Sequence, residues 1–331
     1  MGSTGGEGTG VARRLPFVPR AAVLTAFGRQ ALNLVARDLR QRGITSLLAP
    51  DHYCPTMFVP FQLEGVRVHE VATGSDCLMT ADALARTARD HRRAAVLHCE
   101  AVGNLAGPEL DAILKDLQSH GIPVVVDQTH SLLGTGQFPG DYAVASLRKL
   151  LPVPDGAWVR GLADAPSLSR SAADEEVTAL FAAAFTRGAG WPASQAEAES
   201  ALDDLWAPAA ISPQALVVLG SLDPSQLVAE RRRNAARLRA ALPGVELLNP
   251  DATECCLAIS HPRAESIADE LAAHGIVAPV QWARPLGLRP GRPWRTDLLT
   301  LPVNRQLTDP ELELIGSALQ AMPTCPPAHT G

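Results

Sequence analysis

Residues 141–160 read DYAVASLRKLLPVPDGAWVR. A strand-like run, YAVAS, is followed by Lys149, then by the helix-breaking LPVP and a second strand-like run, GAWVR. The lysine is unusual for this chain. Lys and Arg together number 29, yet Lys115 and Lys149 are the only lysines. Arginine supplies generic positive charge everywhere else, as in the products of a GC-rich genome. Lys115 has an ordinary explanation. It lies in PELDAILKDLQSHG, where Leu110, Ile113, Leu114 and Leu117 form one apolar helical stripe. Lys115 falls on the polar side, four residues after Asp111, a spacing that pairs charges on a surface helix. Lys149 has no such pairing and sits where a strand ends, so its primary amine is the property to explain.

Working outward from this stretch, short apolar strands alternate with amphipathic helices. GRQALNLVARDLRQRG predicts a helix closed by Gly43. TSLLAP, VRVHEV, AAVLHC and IPVVVDQ predict strands, separated by helices over CPTMFVPFQLEG, ADALARTARDH and PELDAILKDLQSHG, the last with Pro108 in its first turn. This alternation implies an α/β fold with a mostly parallel sheet between helices. Ligands of such sheets bind beyond the carboxyl ends of the strands. The positions to inspect are therefore His52 and Tyr53, His98, Asp127 to His130, and Ser146 to Lys149.

Beyond about residue 165 helices dominate, expected over 172–187, 195–206, 213–220 and 226–242. WPASQAEAES and the arginine-dense ARPLGLRPGRPWR read as connectors, the second a candidate border for an anion site. The end of the chain predicts strands at ECCLAIS, IVAPV and LLTLPV with helices at AESIADELAAHG and DPELELIGSALQAM, a smaller α+β unit. The expected division is a flexible tail over 1–20, a large domain over 21–205, and linking helices with a small C-terminal domain over 206–331.

Composition bounds the function. The chain has 331 residues, 46% hydrophobic, and a net charge of −6. An acidic balance argues against nucleic acid as a partner. No apolar run approaches the roughly 18–20 residues of a membrane helix, and the Gly-rich start lacks the apolar core of a signal peptide. The six cysteines form no CxxC pair and no metal-ligand spacing, which predicts reduced thiols, no metal site and a cytoplasmic location.

Four strand-end features carry candidate chemistry, and each also has a structural reading. Gly28-Arg29 opens the first helix, where free backbone N–H groups suit a phosphate, although many helices begin with glycine. Asp127 ends an apolar strand and either caps the next segment or faces a ligand. His130 follows three residues later, as a loop, core or site histidine. Ser146, three before Lys149, is either a turn residue or a phosphate donor. Together they supply what pyridoxal phosphate requires: a lysine for a Schiff base, a carboxylate for the pyridine nitrogen and a helix N-terminus for the phosphate.

The runs FGRQAL, PDHYC, VVVDQTHSLLG and ASLRKLLPVPDGAWV resemble the fold type I pyridoxal-phosphate enzymes. The similarity is greatest to the DegT/DnrJ group of sugar aminotransferases from antibiotic and surface-polysaccharide pathways. The resemblance extends over roughly residues 21–320. It implies Lys149 as the Schiff-base lysine, Asp127 at the ring nitrogen and His130 near the ring or its 3′-oxygen. It implies Gly28, Arg29 and Ser146 at the phosphate, with Tyr53, or else His52, over the ring. It further implies an aminotransferase acting on a small amine, amino acid or keto-sugar, and a homodimer. The chain departs from the family in its shorter leading segment. It has no recognisable asparagine–arginine pair before Ile211, and it carries a Ser-x-Arg-Lys signature at 146–149. Another pyridoxal-phosphate reaction, or a non-catalytic binding protein, stays open at this point.

Overall fold

The computed structural model describes residues 15–186, 191–285 and 292–320. Seven strands form one sheet: β1 (Val23–Thr25), β2 (Ser46–Pro50), β3 (Arg67–Val71), β4 (Ala94–Cys99), β5 (Val124–Asp127), β6 (Tyr142–Ser146) and β7 (Ala157–Arg160). Their spatial order is β1-β7-β6-β5-β4-β2-β3. From β3 to β6 all neighbours are parallel, while β7 runs antiparallel to both β6 and β1. β1 lies before the first predicted element and is an addition to the sequence reading.

The period-two alternation of strand side chains sorts the core into two faces. Leu47, Ala49, Ala95, Leu97 and Val125 face α1 (Gly28–Gln41) and α2 (Val59–Leu63). Leu48, Val96, Val124 and Val126 face α3 (Ala81–Arg89) and α4 (Pro108–Ser119). Covering both faces explains why these strands are near-continuous apolar runs. α4 starts with Pro108 at its first turn, and Lys115 bonds Asp111 at 2.7 Å on its exposed side.

The chain leaves β2 in one direction to β3 and returns on the other side of β2 to β4. The sheet order therefore reverses between these two strands. Beyond the carboxyl ends of strands at such a reversal, loops diverge and leave a crevice.

After β7, α5 (Ala172–Thr186) and α6 (Trp191–Leu202) form a hairpin. Val177, Phe181, Ala198 and Leu202 from this hairpin pack onto Phe27 just before α1. The helix expected over 195–206 therefore begins at Trp191, inside the segment also read as a connector, and ends at Leu202. Its buried Ala198 becomes legible as a packing position only with Phe27 and Phe181 in place.

α7 (Pro213–Ser221) and α8 (Pro224–Ala240) follow, close to their expected ranges. A two-stranded antiparallel sheet of β8 (Leu257–Ser260) and β9 (Leu298–Leu301) packs with α8, α9 (Ala264–Ala273) and α10 (Asp309–Gln320). The strand expected at IVAPV is reduced to a single bridge, Val280 to Leu299, because Pro279 has no N–H to continue the ladder.

Residues 1–14 of the expected tail, and 286–291 of the arginine-dense connector, lie outside the described residues. Leu15, Phe17 and Val18, also expected in the tail, pack against the core around Leu132 and Trp158.

Candidate active site

A cavity of about 790 Å³ opens beyond the carboxyl ends of β2, β4, β5 and β6. Its walls include Gly28, Arg29, His52, Tyr53, Asp127, His130, Ser146 and Lys149, whereas His98, also inspected at a strand end, is fully buried and does not line it.

Gly28 opens α1. The Gln30 side chain caps the Phe27 N–H at 3.2 Å, and the Gln30 and Ala31 N–H groups bond the Phe27 carbonyl. This leaves the Gly28 and Arg29 amides without a partner in the described chain, at the positive end of a 14-residue helix. A Cβ on Gly28 would lie 3.1 Å from the Ser146 Cβ, so the absence of a side chain lets the helix start sit against β6. The Arg29 guanidinium turns away from this spot. It donates to the Leu202 carbonyl at 2.8 Å and to Asp203 at 3.1 Å, and stacks 4.6 Å from the Trp206 ring. Its backbone N–H is what remains for an anion.

Asp127 ends β5, beside Cys99 of β4 and Val144 of β6. Its Oδ1 accepts the Thr129 N–H at 2.8 Å. Thr129 Oγ1 in turn accepts the Ser146 N–H at 3.1 Å, tying the ends of β5 and β6 together. Burial pushes the Asp127 carboxyl up, and the Thr129 bonds only partly offset that. No cation pairs with it among the described residues. The Ser146 hydroxyl is likewise left without a partner there.

His130 Nδ1 accepts the Val102 N–H at 3.0 Å, so the neutral ring carries its proton on Nε2. Burial, reinforced by the positive charge of Lys149, holds the imidazole down at about 4. Val102 adopts φ 49°, a left-handed conformation rare for a β-branched residue. It is held there by this bond and by Asn249, whose amide reaches the Val102 carbonyl at 2.9 Å.

His52 and Tyr53 follow β2. Tyr53 is packed against Phe58, with ring centroids 3.7 Å apart, and edge-on to Trp294. His52 donates Nε2–H to the Gln281 carbonyl at 3.0 Å, and its buried Nδ1 has no partner. Trp282 faces His52 at 5.2 Å and lies parallel to His130 at 6.2 Å. Trp282 went unnoticed in the sequence because it lies on an irregular segment.

Lys149 follows β6 in a single 3-10 turn. The turn after it is fixed by Gly156 at φ +116°, where a Cβ would come 3.0 Å from Ile211. Asp155, fully buried, accepts from Ser212 Oγ at 2.7 Å and from Arg170 at 2.8 Å. Lys149 Nζ donates to Glu199 Oε1 at 3.0 Å, and Arg148 donates to both Glu199 oxygens at 3.0 Å. Burial opposes the charge on Glu199, but Lys149 and Arg148 outweigh it and hold the carboxyl near 2. Glu199 lies on α6, within the helix expected over 195–206, and sequence inspection missed it because its partners Arg148 and Lys149 are about fifty residues away.

In the arginine-dense segment, Arg292 pairs with Glu70 and Arg295 with Asp297. Arg284 lines the cavity. Among the described residues there is no cluster of three or more metal-ligating side chains and no helix long and apolar enough to cross a membrane.

The sequence matches no protein-family model and no curated protein. Solved structures do match. A DegT DnrJ EryC1 StrS aminotransferase from Brucella abortus is 18% identical with a TM-score of 0.62, over 90% of this chain and 84% of that one. The sugar aminotransferase CalS13 from Micromonospora echinospora is 17% identical with a TM-score of 0.61, over 90% and 86%. A Streptococcus pneumoniae protein in its PLP form is 17% identical with a TM-score of 0.62, over 90% and 86%. The chain has the α/β fold of the DegT DnrJ EryC1 StrS aminotransferases.

Proposed function

We propose that the protein is a pyridoxal-phosphate-dependent aminotransferase acting on a small amine, an amino acid or a keto-sugar. The observation that carries this reading is the half-buried Asp127 carboxylate, with no cationic partner among the described residues, in the same cavity as the Lys149 amine. Withdrawing an anion from water without a cation is unfavourable. A protonated ring nitrogen at Asp127 Oδ2 would remove that cost. The unpartnered Gly28 and Arg29 amides and the Ser146 hydroxyl fit a phosphate. The fold-level likeness to aminotransferases, one of them in a PLP form, supports the same cofactor.

Bound pyridoxal phosphate supplies an electron-withdrawing ring that acidifies the carbon beside a substrate amine. The chain's own residues divide the remaining work. Lys149 would hold the cofactor through its primary amine, and the free amine would take a proton as general base and return it as general acid. Asp127 would pair with the ring nitrogen as a carboxylate. His130, neutral, offers Nε2–H toward the ring or its 3′-oxygen, and Val102 fixes its orientation. Tyr53 or His52 covers the ring, with His52 Nδ1 still free to accept a bond.

A cytoplasmic homodimer serving specialised or surface-sugar metabolism belongs to the same reading. Stoichiometry tests the reaction type. In the absence of an acceptor, a transaminase converts one equivalent of amine per site to a carbonyl product and stops. Repeated turnover without acceptor would favour a lyase or decarboxylase, and no product from any amine would favour a binding protein.

A further inference from the structure

Glu199 is anchored independently of Lys149. Arg148 bonds both of its oxygens at 3.0 Å, and Arg148 is itself buried, its guanidinium 4.1 Å from the centre of the Phe181 ring. Ala198 and Leu202 pin the same helix into the Phe27 cluster. Moving Lys149 away therefore leaves the carboxylate in place, ionised and with a vacant acceptor lone pair on the cavity wall.

Other charged groups around Lys149 do not duplicate this role. Arg148 on the same turn repels it, and His130 after β5 is neutral. Asp127 ends β5 and bonds Thr129, and Arg29 on α1 is committed to Asp203. Arg284 lines the cavity as a further positive group. Glu199 is the carboxylate that bonds the lysine.

We infer that Glu199 is a positioning residue that receives the Lys149 side chain in the cofactor-free protein, holding it as an ammonium at the cavity wall until the cofactor is captured. The inference rests on the proposed function for the identity of the cofactor and its carbonyl. To bond, Nζ must leave Glu199 and give one proton to solvent. Formation of the C=N bond then expels the carbonyl oxygen as one water. Glu199 accordingly slows capture of the cofactor.

The test uses the full-length apo-protein and pyridoxal 5′-phosphate, with attachment at Lys149 fixed by borohydride and read by peptide mass. At neutral pH Glu199→Gln should attach about tenfold faster than wild type, because Nζ no longer has to leave an ionic partner before it bonds. Glu197→Gln, on an exposed position of the same helix, should match wild type. Glu199→Ala serves as a second variant should the Gln protein fold poorly. Equal or slower attachment in the folded Glu199 variants overturns the inference.

A second probe separates it from the cofactor reading. Acetylation by N-hydroxysuccinimide acetate, scored as Lys149 relative to Lys115, involves no cofactor. If no protein captures pyridoxal phosphate but this ratio rises about tenfold in Glu199→Gln, the cofactor reading falls and the role of Glu199 stands. An unchanged ratio overturns the role of Glu199.

Discussion

The ring of His130 is oriented by a main-chain donor: Nδ1 accepts the N–H of Val102 at 3.0 Å, across the ends of β4 and β5. The bond fixes the tautomer, and it also satisfies the amide of a residue in a left-handed conformation. His130→Leu should leave that N–H unpaired and cost about 1–3 kcal/mol at neutral pH. The pH profile carries a second signature. The folded ring lies near 4 against an ordinary 6.5. The unfolded chain thus binds more protons between those values, and the stability from a neutral His130 is present above about 6.5 and lost toward 4. Melting temperatures of the Leu variant should fall less steeply than wild type over that window. Parallel profiles would mean that His130 titrates normally.

Glu100 has the opposite sign. It is buried between the Ser131 hydroxyl and the Phe138 N–H, and burial pushes its carboxyl up to about 7 from 4.5. Here the folded state binds more protons. Its contribution is largest below 4.5 and is lost as pH rises through 7. Glu100→Gln keeps a carbonyl oxygen for Phe138 and adds a donor for Ser131. Melting temperature should change little at pH 5 and rise at pH 8. A Gln variant less stable at pH 8 than wild type would contradict the assignment.

Asp127→Asn separates stability from chemistry. In the apo-protein the amide oxygen can still accept the Thr129 N–H, while the half-buried charge without a cation disappears, so melting temperature should rise at neutral pH. With cofactor bound, the variant should lose about two orders of magnitude or more in single-turnover rate, because an amide cannot hold the ring nitrogen protonated. A destabilised apo-protein with near-normal turnover would reduce Asp127 to a cap of the next segment.

The turn after Lys149 depends on Asp155, which is fully buried and bonded to Arg170, Ser212 and Thr178. Asp155→Ala strands the buried part of Arg170 and removes the anchor of α7. Chemical denaturation should show a loss of about 3–5 kcal/mol. A loss below about 1 kcal/mol would show that neighbouring groups replace the carboxylate.

The legible parts of the site share a physical cause. Asp127, Ser146 and Lys149 each interrupt or follow an apolar run that a buried parallel strand requires, so polarity and position could be read together. Gly28 was legible from its place before an amphipathic helix. Its close approach to Ser146, and the departure of the Arg29 side chain toward Asp203, depend on packing between distant segments. Glu199 was hidden because its partner is fifty residues away and its own segment is rich in polar residues and small alanines. Trp282 and Val102 owe their roles to irregular backbone, for which periodicity gives no signal.

The central claim concerns one amine. Purified protein incubated with pyridoxal 5′-phosphate, reduced with borohydride and digested, should carry the label on the single peptide containing Lys149. Lys149→Arg should abolish the label, since a guanidinium stays protonated up to a pKa of about 12 or more and is a poor nucleophile. Lys115→Arg should keep the label and remain within about 0.5 kcal/mol of wild-type stability. Label on Lys115, or its absence from a folded wild-type protein, would contradict the account.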